Sequence, residues 1–246
     1  MLALSVPECK LVDGRRPPTG EGYRAPMAEM HDATEEYLET ILELEEEGIV
    51  PIRARLVERL GVSAPAVSEQ VNRLVDGGYT ELLDDRSLRL TSKGRTLATT
   101  VVRRHRLAER LLVDVIGLEW EKVHKEAALW EHVISADVEQ KLVELLGDPA
   151  TCPHGNPIPG SQRRVDTGLH VALADSPPGP VVIARISEKL ELDKDALGLI
   201  AGASLIPGND AVVLAAAPGG VSVKTAMGEY TVPDAMARSM WVTPAG

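Results

Sequence analysis

The sequence predicts a mainly α fold with a small β component, and three features predict it. Two short amphipathic helices meet at a tight turn and run into an alternating hairpin between Ile52 and Leu90. Helices with apolar stripes follow as far as Leu146, and short alternating runs separated by turn residues fill the chain beyond Pro180. These patterns give an N-terminal winged helix-turn-helix over 30–98, a helical middle over 99–147, a Pro/Gly-rich linker over 148–179 and a C-terminal SH3-like β-barrel over 180–246. Residues 1–29 carry Gly14, Pro17, Pro18, Gly20 and Gly22 without periodicity and read as a disordered arm. Met27 and Met30 stand just before the first helix, so the arm is as readily an early start codon as a functional segment.

Taken in order, Asp32-x-x-Glu35 reads as a capping box, followed by Tyr37, Leu38, Ile41, Leu42 and Leu44 on one face, with Gly48 as the stop. Ile52, Leu56, Val57 and Leu60 form a short helix closed by Gly61. Ser63 caps the next helix, Pro65 lies in its first turn, and Val67, Val71, Leu74 and Val75 make its buried stripe. Gly61-Val62-Ser63 is then the turn between two helices, and Tyr79–Leu82 with Ser87–Leu90 forms a hairpin wing around Asp84-Asp85-Arg86. A helix from Thr91 to Ile116, ended by Gly117, carries Leu97, Val101, Leu107, Leu111, Leu112 and Val115, a stripe more apolar than a small head needs. With Glu119–Val133 and Asp137–Leu146, the latter capped by Ser135, it can supply a dimer interface. The barrel strands are Val181–Ile186, Ala211–Ala215, Val221–Lys224 and Glu229–Val232.

No apolar run approaches the roughly 20 residues of a membrane span. Cys9 and Cys152 make neither a disulfide framework nor a CxxC zinc site, which points to the cytoplasm. The net charge of −11 argues against a nucleic-acid partner only if it is spread evenly. It is not. Pro51–Arg104 holds ten Lys/Arg against six Asp/Glu, whereas Asp32–Glu47 holds eight acids and no base. The helix opening at Ser63 is placed to enter the major groove of DNA, with Ser63, Pro65, Ala66, Ser68 and Glu69 nearest the base edges. Arg53, Arg55, Arg73 and Arg86 are candidates for phosphate contacts that set register.

Three of the six histidines, His105, His124 and His132, lie beside acids in the helical middle. His105 and Glu109 share one helical face, and Glu131 adjoins His132. Imidazole nitrogen with carboxylate oxygen suits first-row divalent ions, although a His/Glu pair at this spacing is also an ordinary surface ion pair. A metallohydrolase would use the same residue types, but no HExxH or comparable motif is present.

With these residues in view, the chain resembles the diphtheria-toxin-repressor family of iron- and manganese-dependent repressors. The resemblance runs from about Met27 onward and is densest in Glu45-Glu46-Glu47-Gly48, Arg104-His105-Arg106-Leu107-Ala108-Glu109-Arg110, Trp130-Glu131-His132-Val133 and Gly155-Asn156-Pro157-Ile158-Pro159-Gly160. It implies a homodimer on double-stranded operator DNA, one or two dimers per operator, and two sites per protomer for Fe²⁺ or Mn²⁺. It also implies a primary site of Glu36, Glu131 and His132, and an ancillary site of His105, Glu109 and His124 closed by Glu188 and Glu191. Iron-type members carry methionine where Glu36 stands and cysteine where Ala128 stands, while manganese-type members carry carboxylates. Glu69 replaces an iron-type glutamine, so the operator is not simply inherited. An alternative that fits the loss at Ala128 is a winged-helix regulator whose primary site has decayed.

Overall fold

The computed structural model describes residues 33–163, 165 and 170–244. The N-terminal arm and Asp32 of the capping box lie outside them. Helix α1 (Ala33–Glu46) buries all five apolar residues predicted for it. Helix α2 (Arg53–Leu60) stops on Gly61 in the left-handed region, and α3 (Ala64–Asp76) starts at Ser63, whose Oγ accepts from the Ala66 N–H at 3.4 Å. Strands β1 (Thr80–Leu82) and β2 (Leu88–Leu90) pair antiparallel, and the Asp85 carboxylate fixes the tip by accepting from the Ser87 N–H at 2.9 Å. Leu38, Ile41, Leu56, Val67, Val71, Leu74 and Leu88 form the core of this head.

Helix α4 (Ser92–Leu111) starts against the wing. A Cβ on Gly94 would lie 2.0 Å from the Tyr79 carbonyl oxygen, so only glycine allows this approach. The sequence predicts an unbroken helix to Ile116. Instead Leu112–Ile116 forms a wider π-type turn ended by Gly117, and Val115, expected in the buried stripe, is 56% exposed. Helices α5 (Val123–Trp130) and α6 (Ala136–Leu146) close a second core on Leu107, Ala108 and Leu112. The predicted Glu119–Val133 helix is shorter because Trp120–Lys122 is a 3₁₀ turn and Glu131–Val133 form the turn after α5.

The run Glu45-Glu46-Glu47 sits at the wrong end of α1 for the helix dipole. Three arginines offset this: Arg95 meets Glu45 at 2.7 Å, Arg106 meets Glu46 at 2.7 Å and Arg59 meets Glu47 at 2.6 Å. The acid run therefore fastens α1 to α2 and α4.

The segment predicted as a linker is packed along α4. Arg103 donates to the Pro159 carbonyl, Arg106 to Pro157 at 2.6 Å and Arg110 to Thr151 at 2.7 Å. These are side-chain-to-backbone bonds, which apolar periodicity does not reveal. Beyond it a six-stranded antiparallel sheet runs in the order β3-β8-β4-β5-β6-β7. Its strands are β3 (Val171–Ala172), β4 (Gly179–Ile186), β5 (Asp210–Ala217), β6 (Gly220–Thr225), β7 (Gly228–Pro233) and β8 (Met240–Pro244). The four predicted strands correspond to β4–β7; β3, β8 and the helices α7 (Glu188–Glu191), α8 (Lys194–Gly202) and α9 (Asp234–Ala237) are additional. The sheet is consistent with an SH3-like barrel, and Ile183, Ile186, Ile200, Val223, Val232 and Met240 lie in its core. No described helix is long and apolar enough to cross a membrane.

Gly94→Ala is expected to destabilise the protein by about 1–3 kcal/mol, because backbone must move to admit the methyl group. Chemical denaturation measures this; a loss below about 0.5 kcal/mol, the range of an ordinary surface change, would contradict the close approach.

Candidate metal centres and nucleic-acid interface

The helix-turn-helix places α3 with its N-terminal end outward. Ser63, Pro65, Ala66 and Glu69 are exposed and Ser68 is half-buried, its hydroxyl donating back to the Ala64 carbonyl at 2.9 Å. Arg55, Arg73 and Arg86 are exposed, and Arg53 is half-buried. Two of these cations are held by neighbouring acids: Arg73 by Glu69 at 2.6 Å and Arg55 by Glu58 at 2.6 Å. Both pairs are solvent-exposed, so exchanging the carboxylate for a phosphate costs little. Arg53 donates to Asn72 at 3.2 Å, which ties α2 to α3. Arg86 sits exposed at the wing tip in the left-handed region, φ 67°.

Behind the head, α1, α4, α5 and the barrel's α7 enclose a cavity of about 340 Å³ lined by Glu36, Glu39, Glu43, His105, His124, Ala128, Glu131, His132 and Glu188. On the α1 side, Nδ1 of His105 contacts Glu131, and Glu39 brings a carboxylate to the same pair. His132 lies 3.1 Å from Glu131 through Nε2 and 2.6 Å from Glu35 through Nδ1. Glu36, the residue expected here, lines the cavity, but the α1 carboxylate that reaches His132 is its neighbour Glu35. Ala128 lines the wall without a side-chain donor.

On the barrel side, Nε2 of His105 lies 3.3 Å from Glu109 and 3.1 Å from His124. His124 lies 3.1 Å from Glu191 and 3.8 Å from Glu188. The five residues expected together are together. Two more join them from the linker: His154 comes within 3.0 Å of Glu109 and 2.8 Å of Glu191, and Cys152 completes a group with Glu109 and His154.

Each barrel carboxylate has one oxygen pinned and one left over. Arg106 holds Oε1 of Glu188 at 3.0 Å, and Asn156 holds Oε1 of Glu191 at 2.8 Å. Oε2 of Glu188 and Oε2 of Glu109 are buried without a hydrogen bond, and Oε2 of Glu191 faces only the rings of His124 and His154. Unmet polar atoms in an interior are costly, and a divalent cation among the carboxylate oxygens would offset that cost. The donor set fits a metal.

The acids and imidazoles of the cluster shift one another's proton affinities. Burial disfavours a charged imidazole, yet hydrogen bonds to Glu109 and Glu191 outweigh it and push His124 up to about 10. Hydrogen bonding to Glu131, then to Glu35, lifts His132 to about 9. Burial raises Glu131, but His105 and His132 more than reverse this and bring it to about 2. Glu39, desolvated and facing the Glu131 charge, is held well above the usual carboxylate range.

Residues 29–88 match the family described as iron dependent repressor, N-terminal DNA binding domain, and residues 91–160 match its metal binding and dimerisation domain. The iron-dependent repressor IdeR of Mycobacterium tuberculosis is 45% identical over 227 residues, covering 88% of this chain and 99% of that protein. The chain belongs to the iron-dependent repressor family. The diphtheria toxin repressor of Corynebacterium diphtheriae is 45% identical over 196 residues, 76% of this chain and 87% of its own. Among solved structures, a manganese-dependent transcriptional repressor in complex with manganese superposes with a TM-score of 0.75 at 32% identity, over 86% of this chain and all of the other. The family is one of repressors, not enzymes.

His124 and His132 bind protons more tightly folded than unfolded. In metal-free protein their contribution to stability is therefore complete below pH 6.5, their ordinary value, and is lost as pH rises through about 9 to 10. Glu131 has the opposite sign: its contribution is present above 4.5 and is lost as pH falls through about 2. The thermal midpoint of chelator-treated protein should decline from pH 6.5 to pH 10. A flat profile over that window would show that these pairs contribute nothing.

Proposed function

We propose that this chain is a divalent-metal-dependent, DNA-binding transcriptional repressor in the cytoplasm, acting as a homodimer on double-stranded operators of metal-homeostasis genes, with Fe²⁺ or Mn²⁺ as its signal. The observation that carries this reading is the convergence of His, Glu and Cys donors from the DNA head, the helical middle, the linker and the barrel in overlapping groups.

We assign two cation positions per protomer, and the overlapping groups of His, Glu and Cys donors support that assignment. The primary position is built from Glu36, Glu39, Glu131 and His132. The ancillary position is built from His105, Glu109, His124, Glu188 and Glu191, with Cys152 and His154 added from the linker. A bound cation supplies the positive charge that the carboxylates lack. Glu39 stands one turn along α1 from Glu36 and offers an oxygen where Ala128 offers none, which weighs against decay of the primary position. Its oxygen-rich set favours Mn²⁺ or Fe²⁺.

The residues also explain the switch. Helix α1 shares its apolar face with the head core and turns its acids toward α4 and α5. Glu35 holds that face to His132 and Glu39 meets His105 and Glu131, which fixes the head relative to the helical middle. Exposed Val115, Ile116, Leu129 and Val133 give the middle an apolar surface for the second copy. Fixing each head to that surface sets the separation of the two α3 helices, which must match successive major-groove faces. The ion stabilises the DNA-competent arrangement by binding it more tightly than the alternatives.

Gel-shift titration with Mn²⁺, Fe²⁺ and chelator tests the switch: operator affinity should rise with the ion and fall with chelator, and Glu131→Gln should remove the response while leaving the fold. Affinity indifferent to metal would refute it. Arg86→Ala should weaken binding alike on specific and non-specific duplexes and reduce the slope of log K against log salt by about 0.9. An unchanged slope would remove Arg86 from the phosphate contacts.

A further inference from the structure

We propose that Arg106 and Glu46 form a latch through which the docked barrel positions its metal ligand Glu188 against the end of helix α1, so that barrel docking and the DNA head are energetically coupled. The inference rests on the proposed metal reading for the role of Glu188, but the latch itself is a matter of geometry.

Arg106 is 1% exposed and its guanidinium meets three separate parts of the chain. It makes a two-pronged contact with Glu46 at the end of α1, Nη2 at 2.7 Å and Nη1 at 3.3 Å. Nη2 also donates to Oε1 of the barrel's Glu188 at 3.0 Å, and Nη1 to the linker carbonyl of Pro157 at 2.6 Å. A planar guanidinium satisfies such a set only if all three partners are in place together. Glu188 then has its Oε1 committed to the latch and its Oε2 turned toward His124, without a hydrogen bond of its own. The same end of α1 is gripped a second time: Arg185 of the barrel donates to the Glu46 carbonyl at 3.2 Å, with its guanidinium 4.0 Å above the Trp241 ring. Glu46 belongs to neither candidate cation position. Arg106 and Glu46 are positioning residues for Glu188, and changes at Glu46 reach the barrel through Arg106.

Glu46→Gln keeps the shape of the side chain and removes the charge, whereas Arg106→Met strands two acids and risks the fold. The test therefore uses full-length wild type, Glu46→Gln, Glu188→Gln and the double variant, each checked for unchanged helix content. Two quantities are read: Mn²⁺ affinity, from the electron paramagnetic resonance of free ion, and amide hydrogen exchange of 186–192 in metal-free protein. Glu46→Gln should accelerate that exchange and weaken Mn²⁺ binding by about 5- to 150-fold, the usual span of coupling between sites. In that background Glu188→Gln should cost no more than about a further twofold, the margin within which independent effects add. Unchanged exchange in Glu46→Gln, or fully additive losses of Mn²⁺ affinity, overturns the latch. If wild type binds no Mn²⁺ while Glu46→Gln still accelerates exchange, the metal reading fails and the latch stands.

Discussion

Buried carboxylates must be neutralised or they do not remain buried and charged, and this requirement governs how the three parts of the chain meet. Glu109, Glu131, Glu188 and Glu191 are each less than a tenth exposed and come from α4, the turn after α5 and the barrel. Histidines of the helical middle and linker, together with Arg106, supply countercharge to these acids. The chamber thus exists only when head, middle, linker and barrel are assembled.

The acid-rich first helix shows the same rule nearer the surface. Its apolar face alone would give an ordinary helix on a small core. Its Glu45-Glu46-Glu47 end gives it three arginine partners in two other helices, and its Glu35 and Glu39 give it a second, polar attachment to the histidine cluster. The helix is therefore shared property, packed as part of the DNA head and electrostatically attached to the regulatory chamber. A segment with two allegiances is a natural place for a small ion to shift an equilibrium.

Much of this was legible from local signals. Gly61, Ser63 and Pro65 mark the helix-turn-helix through capping chemistry that acts within a few residues, and the wing follows from alternation on either side of a polar turn. Residue type and family resemblance together pointed to His105, Glu109, His124, Glu131, His132, Glu188 and Glu191. Glu39 stayed hidden because on an acidic helix it reads as one more solvated charge; only the packing of α1 against α4 brings it to His105 and Glu131. Cys152 and His154 lie in a segment without periodicity, and their role comes from Arg103, Arg106 and Arg110 binding that segment's carbonyls. The end of α4 was misread for a different reason: helical phase assumes one turn geometry, and the wider turn from Leu112 to Ile116 breaks the phase just where Val115 was assigned inward. Helix α8 carries Gly198 and Gly202, which weaken any helical signal until the barrel core supplies the packing.

Helix α4 runs for 20 residues from the wing contact at Gly94 through Arg106 to Arg110. That is about 30 Å of continuous rod. It behaves as a lever with the wing at one end and the linker at the other. A tilt of roughly one degree would move the far end by about 0.5 Å, more than the roughly 0.2 Å that a coordination distance tolerates.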